Sequence, residues 1–135
     1  MRKNMTLHHV GYLVADIGAA AEEFILLGFS QEWEPIYDEA RDARICFLQT
    51  GGTRIELICP ASPASPYAPL LKKFKNAPYH LCFETDGLEE AQAELFSRGY
   101  VPVRPPEAAP ALGGRRVAFF MHGGVGLIEL VERAC

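Results

Sequence analysis

Four side chains that could bind a metal ion lie inside otherwise apolar segments of the sequence: His9, Glu56, His80 and Glu129. Alternate residues of a strand share a face, so Glu129 points the same way as Leu127 and Val131. A carboxylate left alone among such neighbours is costly unless it is protonated, paired or bound to a metal ion. The four side chains therefore need a chemical explanation.

Each of the four has an ordinary structural explanation when it is taken singly. Glu56 could pair with Arg54 or with an arginine on a neighbouring strand, and each histidine could be a hydrogen-bonded core residue. Together, two imidazoles and two carboxylates suit Co, Ni, Zn, Fe or Mn, and the two negative charges offset a divalent charge. The set predicts one divalent metal ion bound by His9, Glu56, His80 and Glu129.

The chain repeats itself, and the repeat includes these residues. His9 begins HVGYLVADIGAAAEEFILLGF and His80 begins HLCFETDGLEEAQAELFSRGY, and the two segments align without a gap. Glu56 in TRIELIC and Glu129 in GLIELVE follow their own histidines by 47 and 49 residues. Internal repetition predicts two copies of one module, each with one His and one Glu. If the copies pack about a pseudo-twofold axis, each His meets its Glu and the two pairs converge.

Each copy has the pattern of a strand, a helix and three further strands, which predicts the α+β class. Asp16 is a good N-cap for the first helix, and Gly28 a plausible left-handed cap at its end. EWEPIYD, ARICFLQT and TRIELIC follow as predicted strands. We predict a single domain over 1–135, divided into a first βαβββ module at 7–59, a linker at 60–76 and a second module at 77–133.

Two segments are rich in proline and have no clear strand or helix pattern. CPASPASPYAP (59–69) precedes LLKKFK, which predicts one or two helical turns, and PPEAAPALGG (105–114) interrupts the second copy. Both are long enough to be lids or rims of a site rather than tight connections.

Composition excludes several classes of protein. The net charge of −4 over 135 residues argues against a nucleic-acid partner. No apolar stretch approaches the roughly 18 residues that span a bilayer, and the first residues do not form a targeting segment. Four cysteines without CxxC spacing, Cys46, Cys59, Cys82 and Cys135, indicate reduced thiols in a cytoplasmic protein.

Other polar residues have weaker signals. His8 points to the face opposite the predicted ligand and is excluded from the metal site. His122 could line a cleft or lie at the surface, and core packing is the favoured interpretation of Cys82. The basic runs 72–75 and 115–116 could hold phosphates, although short basic runs are usually solvated.

The sequence resembles the vicinal oxygen chelate superfamily, and the resemblance spans residues 7–132. The motifs that carry it are LHHVGYLVADI, GGTRIELICP, SPYAPLLKKF, YHLCFETDGLEEAQAEL and GLIELVE. Within the superfamily the chain is most similar to methylmalonyl-CoA epimerases and related glyoxalase I-like proteins. The resemblance implies two βαβββ modules paired into one curved mixed β-sheet cleft. It also implies a metal ion at His9, Glu56, His80 and Glu129.

The resemblance implies a metal-dependent isomerase or lyase that abstracts a proton α to a carbonyl through a chelated enediolate. Glu129 or Glu56 would be the base. The substrate would carry vicinal oxygens, as an acyl-CoA thioester or a thiol hemithioacetal does. A homodimer is implied in the same way.

Alternatives remain open at this point. In glyoxalase I-type lactoylglutathione lyases an Arg and an Asn occupy the places of Leu13 and Pro60. The chain departs from epimerases at Tyr79, where they have a second His, and at 122–124, where their His-Pro-Lys turn is shortened to His-Gly-Gly. A non-catalytic small-molecule (antibiotic) binding protein is another alternative, although it would not need two buried His and two Glu. An Fe(II) dioxygenase would usually be longer and lack the first Glu.

Overall fold

A computed structural model of the chain describes residues 5–134, which form nine strands, three α-helices and one 3₁₀ turn. In chain order these are β1 (Met5–Leu13), α1 (Ile17–Leu26), β2 (Ser30–Gln31), β3 (Ile36–Asp38), β4 (Ala43–Thr50), β5 (Thr53–Pro60), α2 (Tyr67–Phe74), β6 (Ala77–Thr85), α3 (Leu88–Ser97), β7 (Val101–Ala108), the 3₁₀ turn (Pro110–Leu112), β8 (Arg116–His122) and β9 (Gly126–Glu132). Helices and mixed sheets confirm the predicted α+β class.

The described residues divide into two compact units. The N-terminal unit comprises residues 9–79, and the C-terminal unit comprises residues 5–8 and 80–134. The boundary therefore falls inside β1, between His8 and His9, and inside β6, between Tyr79 and His80.

The N-terminal unit has a mixed sheet in the order β2-β4-β5-β1, with β3 also paired to β4. β1 runs parallel to β5, and the other pairs are antiparallel. Helix α1 begins at the predicted N-cap, where the Asp16 carboxylate accepts the Ala19 N–H at 3.0 Å. The helix covers one sheet face, and the core between them contains Val14, Ile17, Ala21, Cys46, Leu48, Ile55 and Leu57.

The C-terminal unit repeats this arrangement with a mixed sheet in the order β6-β9-β8-β7. β6 runs parallel to β9, whereas β8 is antiparallel to both of its neighbours. Helix α3 packs on the sheet through Leu88 and Ala91, against Ala118, Phe120 and Leu130. The two parallel pairs, β1 with β5 and β6 with β9, are equivalent in the repeat.

Three segments differ from the sequence-based expectations. The predicted strand at 32–38 is reduced to β3, because Pro35 lacks the N–H that a longer ladder needs. The prediction of a loop at 105–114 is wrong for its first part, because β7 continues to Ala108. Register shifts in the pairing with β8 accommodate the prolines of β7. Helix α2 begins at Tyr67, inside the segment expected to be irregular, and has eight residues.

No helix among the described residues is long and apolar enough to cross a membrane. Cys46, Cys59 and Cys82 form no disulfide bond. Cys135, the fourth predicted thiol, lies outside the described residues.

Candidate metal centre

The first His–Glu pair belongs to the N-terminal unit. The parallel pairing of β1 with β5 sets Gly11 opposite Glu56. His9 lies two residues before Gly11 and therefore on the same face of the sheet. Its Nε2 is 3.3 Å from the Glu56 Oε1, and the residues are only 1% and 6% exposed. An imidazole and a carboxylate are thus brought together in a buried position.

The second pair belongs to the C-terminal unit and has the same register. β6 and β9 are parallel, and Cys82 lies opposite Glu129. His80, two residues before Cys82, has its Nε2 2.9 Å from the Glu129 Oε1, within hydrogen-bonding distance. His80 is 4% exposed and Glu129 3%. Each unit therefore buries one imidazole and one carboxylate at equivalent places.

An aromatic ring supports each histidine from the neighbouring antiparallel strand. Phe47 of β4 lies opposite Glu56 and meets the His9 ring edge to face, with ring centroids 5.1 Å apart. Phe119 of β8 lies opposite Glu129 and meets His80 in the same way at 5.4 Å. These contacts restrict the imidazole orientation in both units.

These two phenylalanines were not predicted from the sequence. The signal was present, because Phe47 precedes Glu56 by nine residues and Phe119 precedes Glu129 by ten, in strands that the repeat aligns. A single phenylalanine in an apolar strand gives no hint of this role. The pairing register of the sheet is needed to show it.

The chemistry of each pair limits what it can do. A buried carboxylate beside a histidine is stable when a proton or a cation lies between the two groups, since burial of an uncompensated charge is costly. The imidazole nitrogen and carboxylate oxygen are both ligands of divalent transition metals. Each pair thus supplies donors of the kind that such an ion needs.

The remaining histidines occupy other surroundings. His8 is half-buried, and its Nε2 lies 3.3 Å from the guanidinium of Arg115. His122 stacks on Tyr100, with ring centroids 4.3 Å apart, and its Nδ1 accepts the Gly124 N–H at 2.9 Å. Neither belongs to one of the buried His–Glu pairs.

The two basic runs that could hold phosphates differ in their ion pairing. Arg115 binds the Glu84 carboxylate at 2.7 Å, and Arg116 binds the carboxylates of Glu89 and Glu132. The arginines of 115–116 are therefore already neutralised. The lysines of 72–75 are exposed at the end of α2.

The chain is similar to known proteins of one superfamily. The family model for the Glyoxalase/Bleomycin resistance protein/Dioxygenase superfamily matches residues 8–119. Mitochondrial methylmalonyl-CoA epimerase from Bos taurus is 30% identical over 131 residues, which cover 93% of this chain and 73% of that protein. An ethylmalonyl-CoA/methylmalonyl-CoA epimerase from Cereibacter sphaeroides is 26% identical, with coverage of 84% and 85%.

A solved structure gives the same result. The crystal structure of methylmalonyl-CoA epimerase from Mycobacterium tuberculosis has a TM-score of 0.83 and 28% sequence identity to this chain. The similarity covers 96% of this chain and 88% of that one. The chain belongs to the glyoxalase/bleomycin resistance protein/dioxygenase superfamily and has its α+β vicinal oxygen chelate fold.

Proposed function

We propose that the protein is a metal-dependent epimerase of acyl-CoA thioesters, with methylmalonyl-CoA or a close homologue as substrate. The observation that carries the proposal is the pair of buried His–Glu couples in identical strand register. The similarity to methylmalonyl-CoA epimerases supports the choice of substrate class.

We further propose that His9, Glu56, His80 and Glu129 together bind one divalent ion, of Co, Ni, Zn, Mn or Fe. Two nitrogen and two oxygen donors fit these ions, and two carboxylates offset the divalent charge. The burial of all four side chains supports this, since each carboxylate needs a compensating charge. When bound, the ion supplies Lewis acidity that stabilises the negative charge developing on the substrate oxygen.

The protein's own side chains would move the proton. One carboxylate, of Glu129 or Glu56, accepts the α-proton of the thioester, and the C–H electron pair moves towards the carbonyl. The other carboxylate, on its own strand, takes up a proton from solvent and delivers it to the opposite face of the α-carbon, which inverts its configuration. His9 and His80 position the carboxylates, and general acid–base catalysis of this kind contributes about 10²–10⁴-fold.

Deuterium exchange tests the proposed chemistry. Incubation of methylmalonyl-CoA with the protein in D₂O, followed by NMR, is expected to show inversion and deuterium at the α-carbon. A sample without protein gives the uncatalysed rate. If CoA thioesters and glutathione hemithioacetals all exchange no faster than this blank, the protein is not an isomerase of this type.

Metal analysis tests the proposed ion independently of turnover. Protein purified without added metal is expected to contain one divalent ion per chain, and His80→Ala to lose it. Phe96→Ala, a change of an exposed ring on α3, is the control that should retain the ion. A metal-free wild-type protein that takes up no divalent ion would contradict the four-residue site and favour a small-molecule binding protein.

We also propose a homodimer and a cytoplasmic location. The lack of CxxC spacing among the four cysteines of the sequence supports a reducing compartment. Within the proposed single domain 1–135, residues 7–59 and 77–133 would be the modules and 60–76 their linker. Light scattering after size-exclusion chromatography measures the dimer, and a single cooperative unfolding transition is the expected sign of one domain.

A further inference from the structure

Most of the arginines in residues 5–134 are ion-paired, whereas one cluster of lysines is not. Six arginines each lie within 4.0 Å of a carboxylate: Arg41, Arg54, Arg104, Arg115, Arg116 and Arg133. In contrast, Lys72, Lys73 and Lys75 form no ion pair with any residue in the range 5–134 and lie within four consecutive positions. The three lysines therefore form a cluster of positive charge without ion pairs in a protein of net charge −4.

An exposed aromatic ring lies among these lysines. Phe74, the last residue of α2, is 48% exposed. The Lys73 Nζ lies 5.3 Å from the centroid of the Phe74 ring. The end of α2 thus combines an apolar stacking surface with three ammonium groups, which we call the α2 cationic patch (residues 72–75).

The helix dipole does not account for the patch. Positive side chains in the last turn of a helix offset a partial charge of about −0.5 at its C-terminus. Lys72 and Lys73 lie in that turn, and Lys75 is the C-cap. The total charge of three ammonium groups is several times larger than this partial charge, so the surface around Phe74 remains positive.

The patch is held in a fixed position by backbone contacts. The Lys75 N–H donates to the Leu71 carbonyl at 2.8 Å, and Lys75 itself has a φ of 62°. The Asn76 side-chain oxygen accepts the Ala15 N–H at 2.9 Å, which ties the end of α2 to the segment after β1. The lysines therefore project from an ordered turn.

The patch also follows β5, the strand that carries Glu56. The strand ends at Pro60, four positions after Glu56, which corresponds to about 13 Å along the strand. The loop from Pro60 to α2 is fixed by Ser65, whose hydroxyl donates to the Arg41 carbonyl and accepts the Tyr67 N–H. The patch and Glu56 therefore belong to the same unit and are joined by an ordered segment.

We propose that the α2 cationic patch binds the nucleotide end of the acyl-CoA substrate. The lysines would contact the 3′-phosphate and the diphosphate, and the adenine would stack on Phe74. Ammonium groups bind phosphates as point charges, and aromatic rings accept bases without needing a specific hydrogen-bond pattern. The assignment of CoA as the ligand rests on the proposed function.

Truncated substrates separate this role from catalysis. Lys73→Glu and Phe74→Ala are each expected to raise KM for methylmalonyl-CoA about fivefold, with kcat unchanged. With the N-acetylcysteamine thioester of methylmalonate, which lacks the nucleotide, both variants should match the wild type. Phe74→Tyr, which keeps the stacking ring, should restore KM for methylmalonyl-CoA.

Arg98→Glu is the matched control. Arg98 is the exposed C-cap of α3, without an ion pair in the described chain, and its change to Glu shifts the net charge by the same amount. It should leave KM for both substrates unchanged. An equal rise of KM in Arg98→Glu and Lys73→Glu would show a general effect of charge and overturn the proposed subsite.

A binding measurement distinguishes failure of this proposal from failure of the proposed function. Titration calorimetry with adenosine 3′,5′-bisphosphate needs no turnover. Wild-type protein is expected to bind it several-fold more tightly than Lys73→Glu or Phe74→Ala. If methylmalonyl-CoA is epimerised but neither variant changes its KM or this binding, the subsite is wrong. If wild-type protein binds the bisphosphate but no CoA thioester exchanges, the proposed function alone fails.

Discussion

The two His–Glu pairs are alike in the groups that contact each other and different in what surrounds them. Glu56 has Arg54 two residues before it, and this arginine binds Glu32 at 2.9 Å. Glu129 has Leu127 at the same position. The strand register and the edge-on phenylalanine are nevertheless the same in both units. The His–Glu–Phe geometry is therefore common to the two units, whereas the residues that flank it differ.

The contact distances also differ. His80 and Glu129 lie within hydrogen-bonding distance at 2.9 Å, whereas His9 and Glu56 are separated by 3.3 Å. The mechanism proposed above assigns the two carboxylates to opposite faces of the α-carbon. Variants that treat the two units separately can therefore test whether they have separate roles.

The largest expected effect comes from removing one carboxylate at a time. Glu129→Gln is expected to abolish epimerisation while the fold survives, with a loss of about 10²–10⁴-fold, because one face of the α-carbon loses its base. Glu56→Gln should lose epimerisation as well. The two variants should retain α-proton exchange with opposite epimers of methylmalonyl-CoA, followed by NMR in D₂O.

Glu90→Gln, at an exposed position in the first turn of α3, is the control and should keep normal turnover. Circular dichroism verifies that each variant is folded. Normal epimerisation by Glu129→Gln would remove Glu129 from the mechanism. Loss of exchange with the same epimer in both variants would contradict a division of labour between the units.

The repeat made these pairs predictable because it aligns the residues that share a register. The repeat aligns His9 with His80 and Glu56 with Glu129. Because the two parallel strand pairs have the same register, each histidine meets the glutamate of its own unit. The metal-binding role of the four residues remains a prediction. Helix α1 was predictable because its N-cap contact is local: the Asp16 carboxylate accepts the N–H of Ala19, three residues later.

The proline-rich segments were not predictable in the same way. Local rules disfavour strands at proline, but β7 has prolines where register shifts interrupt its pairing with β8. The existence of those shifts depends on the partner strand, which lies later in the chain. The ring contacts of Phe47 and Phe119 depend on pairing partners too. Sequence patterns do not encode such non-local contacts directly.

A second difference between the units lies in their ion pairs. In the N-terminal unit, Asp38 and Arg41 are buried and joined at 2.7 Å. In the C-terminal unit, Glu84 contacts Arg115 and Arg133 in a partly exposed position. Loss of one partner removes an ion pair from a buried position in the N-terminal unit, whereas in the C-terminal unit water can solvate the charges that remain.

Asp38→Ala is therefore expected to lower the free energy of unfolding by about 3–5 kcal/mol. Glu84→Ala is the comparison and should cost about 1 kcal/mol or less, because water screens its arginine partners. Urea denaturation monitored by circular dichroism measures both. Equal losses in the two variants would show that burial does not distinguish these ion pairs.

The smallest expected effect concerns a thiol of the N-terminal unit. Burial, with smaller contributions from Glu34 and Glu32, raises the pKa of Cys46 from 9.0 to about 11. The folded protein then holds this proton while the unfolded chain loses it, so the associated stability is complete below pH 9 and is lost as the pH rises towards 11. Between pH 8 and pH 10.5, wild-type protein should lose about 2 kcal/mol more than Cys46→Ala.

Measuring this difference against Cys46→Ala removes the contributions of other groups that titrate in the same range, and also the pH-independent cost of the smaller side chain. Cys59 is the internal comparison, because it is only half-buried although burial also raises its pKa. Cys59→Ala should therefore change the pH dependence less than Cys46→Ala. If wild-type protein and Cys46→Ala had the same pH dependence, the Cys46 thiol would ionise as readily in the folded chain as in the unfolded one. The complete burial of Cys46 between its β4 neighbours makes ionisation in the folded chain energetically unfavourable.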